Sequence, residues 1–161
     1  MKAIADTGAI LSLSCSCFAD VLFKEHDIHI TKGVAAELQE FAQYDDFLGK
    51  KAQEALSRKL PLLQARQLLD LQIERAEQEV ISIAKEEKCL CLTDDIRAAR
   101  LAFEMYHVKT RPSFYLLLFL YKKKAITKKE LIDDIRSILN HRNWLSGALW
   151  EYAVRLIEKL G

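Results

Sequence analysis

A chain of 161 residues that is 50% hydrophobic and 29% charged, with five Gly and two Pro, has the composition of one globular domain. That composition excludes disorder and long flexible linkers. The net charge of +1 conceals an asymmetry: residues 1–110 hold 14 Lys/Arg against 18 Asp/Glu, and residues 111–161 hold 10 against 5. An acidic body with a basic tail section suits a metal centre served by a phosphate-binding rim. Charge count alone favours a merely solvated basic surface.

Met1-Lys2 leads straight into Ala3-Ile4-Ala5, so a first strand over Lys2–Ala5 is expected and a signal peptide is not. Asp6-Thr7-Gly8 follows, and Ala9-Ile10-Leu11 starts a helix. Asp6 thus stands at a strand's carboxyl end and a helix's start, where capping alone would explain it. Phe18–Lys24 reads as a second helix and Ile28–Ile30 as a short strand. Thr31 caps a helix over Lys32–Tyr44, with Val34, Leu38 and Phe41 as its apolar stripe. Glu37 lies beside that stripe and Glu40 lies off it. Asp45–Arg58 is a further exposed helix, and residues 60–73 are ambiguous between strand and turn.

The stretch from Glu74 to Arg100 organises the rest. At 100° per residue, Ala76, Val80, Ile83 and Ala84 form one apolar face, with Glu77 close to it and Glu79 at its other margin. A carboxylate beside a buried face is costly unless something pairs with it. Cys89–Leu92 is continuously apolar, as a parallel strand covered on both sides requires. It ends in Thr93-Asp94-Asp95, either a helix N-terminus or a metal site. A helix follows on Ala98, Leu101, Ala102 and Met105. His107–Lys109 is expected as the fourth strand, ending at Thr110, and Arg111–Lys124 as an apolar helix with Pro112 in its first turn. Thr127-Lys128-Lys129-Glu130 matches a capping box for a helix over Lys128–Leu139. A last helix over Trp144–Lys159 carries Leu145, Leu149, Tyr152, Ala153 and Leu156 as a stripe, with both tryptophans, Trp144 and Trp150, nearby.

Strands alternating with helices predict an α/β fold with a central, mostly parallel sheet and right-handed crossovers. The longest apolar run, Tyr115–Tyr121, is too short to span a bilayer. The cysteines come as Cys15/Cys17 and Cys89/Cys91. A C-x-C spacing is not the usual zinc spacing, and unpaired buried cysteines point to a reducing cytoplasm. Asp6, Glu37, Glu77 and Asp95 share the carboxyl edge of such a sheet. Converging carboxylates repel unless cations or protons intervene, and all-oxygen ligation suits Mg2+ or Mn2+.

The sequence resembles the PIN-domain family, the nuclease fold of VapC-type toxins and related ribonucleases. The resemblance rests on Asp6-Thr7 after the first strand and on Val34-Ala35-Ala36-Glu37-Leu38. It is strongest in Ala76-Glu77-Gln78-Glu79-Val80-Ile81-Ser82-Ile83-Ala84 followed by Leu92-Thr93-Asp94-Asp95. It implies a Rossmann-like three-layer α/β/α fold, one PIN-like domain over 1–161 with a core of about 1–126 and a helical extension over 127–161. It also implies an endoribonuclease using Mg2+ or Mn2+ held by Asp6, Glu37, Glu77 and Asp95, with Asp94 and Glu79 as near duplicates. Thr7, Thr93, Arg97 and Arg100 are its candidates for contacting RNA, although the threonines could equally cap helices and the arginines balance Asp94 and Asp95. An antitoxin partner and a homodimer built on the aromatic C-terminal helix or the Tyr115–Tyr121 helix complete the expectation. Three rivals fit less well. A haloacid-dehalogenase-type phosphatase wants a second aspartate where Gly8 stands, a receiver domain wants its acidic pair early, and a nucleotide-dependent enzyme wants a Gly-rich phosphate loop that this sequence lacks. An inert PIN-like module that binds RNA or protein stays open.

Overall fold

The computed structural model of the chain describes residues 1–142 and 147–160. Four strands, β1 (Lys2–Ala5), β2 (Asp27–His29), β3 (Leu90–Leu92) and β4 (Thr110–Arg111), form one sheet in the order β2-β1-β3-β4. Every pairing is parallel. The helices are α1 (Thr7–Cys15), α2 (Ala19–Glu25), α3 (Lys32–Phe41), α4 (Phe47–Ser57), α5 (Arg75–Glu87), α6 (Ile96–Tyr106), α7 (Tyr115–Lys122), α8 (Lys128–His141) and α9 (Gly147–Lys159). They flank the sheet, giving the expected three-layer α/β/α, Rossmann-like fold. No helix among the described residues is long and apolar enough to cross a membrane.

The two central strands are apolar throughout their buried length. Ala3, Ile4, Ala5, Cys91 and Leu92 are at most 1% exposed, as strands covered on both faces must be. Ala5 pairs with Leu92, so β1 and β3 end at the same level. From β1 the chain first crosses to β2 on one side, then returns to add β3 on the other. The strand order therefore reverses between β1 and β3, and a crevice opens at their carboxyl ends. α5 runs back before β3 and packs Val80, Ile81, Ile83 and Ala84 into the core. Its first turn is thereby set at that same edge.

Capping fixes most helix starts. The side chains of Asp6, Thr31, Asp46, Asp95 and Thr127 each accept a backbone N–H of the helix they precede. The predicted capping box is present: Glu130 accepts the Thr127 N–H at 2.7 Å and Thr127 Oγ1 accepts the Glu130 N–H at 3.1 Å.

Among the described residues, three boundaries differ from the sequence expectation by more than two residues. His107–Lys109 is not a strand. His107 adopts φ 54° and caps α6 with its N–H on the Ala102 and Phe103 carbonyls, and Val108 N–H also turns back to Ala102. Their amides close the helix end, so the ladder begins only at Thr110. The helix expected over Arg111–Lys124 is shorter, because Arg111 pairs with Leu92 and Pro112–Phe114 form a turn. α3 stops at Phe41 rather than Tyr44. A Cβ on Gly49 would lie 1.9 Å from the Tyr44 carbonyl oxygen, so the close approach of this turn to α4 depends on glycine. In α9, Leu149, Ala153 and Ile157 are buried, and Tyr152 and Leu156 are half-buried. Trp144 and Leu145 lie outside the described residues.

Candidate metal centre

The crevice at the β1/β3 switch holds a cavity of about 190 Å³. Asp6 and Thr7 reach it from the end of β1, Asp94 and Asp95 from the end of β3. Glu37 and Phe41 come from α3, Glu74 and Glu77 from the start of α5, Leu11 from α1, and Arg142 from beyond α8. Asp6, Glu37, Glu77 and Asp95, widely separated in sequence, thus line one space, and Asp94 lines it with them.

Asp6 is 6% exposed and serves two purposes. Its Oδ1 accepts the Ala9 N–H at 2.7 Å, capping α1, while its carboxylate borders the cavity. Burial pushes its carboxyl up to about 7, against hydrogen bonds from Thr93 and the Ala9 amide that favour the anion, and the charges of Asp94 and Asp95 add to the rise. Glu77 is pushed further, to about 8. Burial is the main cause, followed by the charges of Asp95 and Asp6, a hydrogen bond shared with Asp95, and the charge of Glu74. At neutral pH Glu77 therefore carries a proton, which it shares with Asp95.

The remaining acids are held by neighbours. The Thr7 hydroxyl donates to Glu37 Oε2. Asp95 Oδ1 accepts the Arg97 and Ala98 N–H groups at 2.9 and 3.1 Å, and the Asp95 N–H donates to Thr93 Oγ1 at 3.1 Å. Asp94 is 4% exposed and takes both donors of Ser113. Thr7 and Thr93 thus orient carboxylates inside the protein.

Glu79 is not part of this space. It lies 3.4 Å from Arg75 Nε and borders a separate cleft with Lys32 and Leu68. Arg97 and Arg100 are exposed and do not line the cavity; Arg97 contributes only its backbone N–H to Asp95.

Three lining residues escape the sequence reading. Glu74 precedes α5, and its one signal is an acid at a helix start. Phe41, expected as core, is 38% exposed because α3 ends there. Arg142 is 2% exposed and feels the charges of Asp94 and Asp6, which oppose the lowering of its pKa by burial. Only the basic excess after residue 110 hinted at a cation here.

The donor chemistry fits a hard divalent cation: the side chains are oxygen ligands, and two carboxyls are raised by burial and mutual repulsion that such a cation would offset. Among the described residues, however, no group of three or more His, Cys, Asp or Glu side chains is gathered closely enough to hold a metal ion. Asp6, Glu37, Asp94 and Asp95 each accept hydrogen bonds from the protein instead.

No curated protein matches the chain. A family model described as PIN domain matches residues 2–159, nearly the whole length. With a parallel β2-β1-β3-β4 sheet and an acid-lined crevice at its switch point, the chain belongs to the PIN-domain family.

Proposed function

We propose that this protein is a Mg2+- or Mn2+-dependent endoribonuclease of the PIN type, acting as the toxin of a toxin–antitoxin pair. The observation that carries this is the convergence of Asp6, Glu77 and Asp95 on one cavity, with two of the three carboxyls raised by burial and by their neighbours' charges. Asp6, Glu37, Glu77 and Asp95 would hold the cation, and Asp94 is the reserve ligand. When bound, such a cation lowers the pKa of water and offsets charge building on phosphate oxygens. The chain's own groups prepare for it. Ala9 N–H and Thr93 fix Asp6, Thr7 aims Glu37, and Glu77 holds a proton that it would have to release to ligate a cation.

RNA is the substrate in this proposal, and an antitoxin's basic segment would fit the same acidic cavity. One domain over residues 1–161 is part of this proposal, and Arg142 lining the cavity beside Asp6 supports it. A homodimer is the proposed assembly, tested by light scattering across a concentration series. Four free cysteines agree with a cytoplasmic setting. The second reading, an inert PIN-like module, is favoured by the absence of a gathered triad of ligands among the described residues.

Purified protein incubated with single-stranded RNA separates the two. Cutting that requires Mn2+ or Mg2+, stops with EDTA and is lost in Asp6→Asn supports the nuclease. Cutting that survives Asp6→Asn or EDTA refutes it. No cutting, together with no thermal stabilisation by Mn2+, leaves the inert module.

A further inference from the structure

Among the described residues that line the acidic cavity, Arg142 is the one basic side chain. It does not arrive there by chance. α8 buries Leu131, Ile135 and Ile138. Asp134, one turn further back, accepts the Ser16 hydroxyl at 2.5 Å and the Cys17 N–H at 2.9 Å, so the helix is tied to the turn after α1. His141 stacks on Phe47 of α4 with ring centroids 4.1 Å apart. The Arg142 N–H then closes the helix on the Ile138 and Leu139 carbonyls at 3.1 and 3.2 Å. Three ties thus fix the residue from which the guanidinium departs.

We propose that Arg142 is the built-in counter-charge of the acidic cavity, balancing Asp6 and Asp94 in the metal-free protein and opposing entry of a divalent cation. The second half rests on the metal-dependent function proposed above. A guanidinium keeps its charge in a protein interior. This one is 2% exposed, unlike a rim arginine offered to a polyanion, and its field acts on Asp94 and Asp6. A cation entering the same space meets a like charge, and in a partly desolvated site such repulsion lowers affinity by an order of magnitude or more.

Two measurements test this. The first is a double-mutant cycle in EDTA between Arg142→Gln and Asp94→Asn, read as thermal melting. Arg142→Gln is expected to lower the melting temperature in the parent, and by about half as much or less beside Asp94→Asn. Equal losses in both backgrounds overturn the counter-charge. Should Arg142→Gln alone fail to fold, a double variant that folds upholds the proposal, and one that also fails overturns it. The second is a Mn2+ titration followed by water-proton relaxation. Arg142→Gln, alone or in the folded double variant, is expected to bind Mn2+ about ten-fold more tightly than its Arg142 counterpart, with Arg142→Lys close to the parent. Equal or weaker binding overturns the opposition and favours a phosphate contact. If the parent and all variants leave Mn2+ unbound, the metal-dependent function falls, and the cycle in EDTA still decides the role of Arg142.

Discussion

Ser113 donates twice to Asp94: its backbone N–H reaches Oδ1 at 2.7 Å and its hydroxyl reaches Oδ2 at 2.8 Å. Ser113 is fully buried and Asp94 nearly so. Asp94, the second residue after β3, is thereby clamped to the turn after β4, and one wall of the cavity is fixed. Hydrogen bonds to a charged group in such a place contribute about 1.5–3 kcal/mol. Ser113→Ala is expected to lose an amount in that range, seen as a lower urea midpoint with an unchanged slope. A midpoint equal to the parent's would mean that the hydroxyl does not restrain Asp94.

The pH dependence of the metal-free protein follows from Asp6 and Glu77. Both folded-state pKa values, about 7 and about 8, lie above those of unfolded carboxyls, near 4. A group raised on folding contributes its stability in full below the unfolded pKa and loses it as pH rises through the folded one. Stability in EDTA should therefore fall between about pH 4 and pH 8. A drop in melting temperature of roughly 5 °C or more from pH 5 to pH 8.5 is expected for a chain of this size. A melting temperature flat or rising over that window would mean that the two carboxyls are not buried against one another.

Metal addition should show the complementary pattern. A cation that binds only the folded state raises its melting temperature by mass action. Because Glu77 must lose its proton to ligate, the gain with millimolar Mn2+ should be larger at pH 8 than at pH 5.5. Glu77→Gln should shrink the gain at pH 8 while raising stability in EDTA. Glu79→Gln, altering a side chain in another cleft, should leave the gain unchanged. Calorimetry on the three proteins at both pH values checks each comparison.

Asp95 divides its effects between capping and charge. Asn caps a helix about as well as Asp, so Asp95→Asn keeps the bonds to Arg97 and Ala98 and relieves Glu77 of a negative neighbour. It should be at least as stable as the parent in EDTA at pH 8. Asp95→Ala loses the cap, at about 1 kcal/mol. Both substitutions remove the charge, so thermal melts that rank Ala at or above Asn would mean that the bonds from Arg97 and Ala98 to Asp95 contribute nothing.

The acids that line the cavity were legible because each stands at a boundary that the sequence marks. Asp6 and Asp95 follow apolar strand runs and begin helices, and Glu37 and Glu77 flank apolar stripes. Periodicity distinguishes Glu77 from Glu79 only by angle, whereas packing distinguishes them by cleft. Arg142 could not be found this way. What brings it to the cavity is Asp134 meeting the turn after α1 and His141 meeting Phe47, contacts between segments more than 90 residues apart with no local signature. The fourth strand was misplaced for a related reason. His107-Val108-Lys109 has the alternation of a strand, yet a left-handed residue at a helix end diverts its amides, and propensity does not reveal that competition.

The anchoring of α8 through Asp134 has a consequence for the order in which the molecule is made. Asp6 leaves the ribosome long before Arg142, and domains generally condense from the N-terminal side as synthesis proceeds. The parallel sheet cannot form until β3 and β4 have emerged. A nascent chain that closed the sheet before α8 docked would carry the cavity-lining acids without Arg142 beside them. The buried bonds from Ser16 and Cys17 to Asp134 mark the step that brings it there.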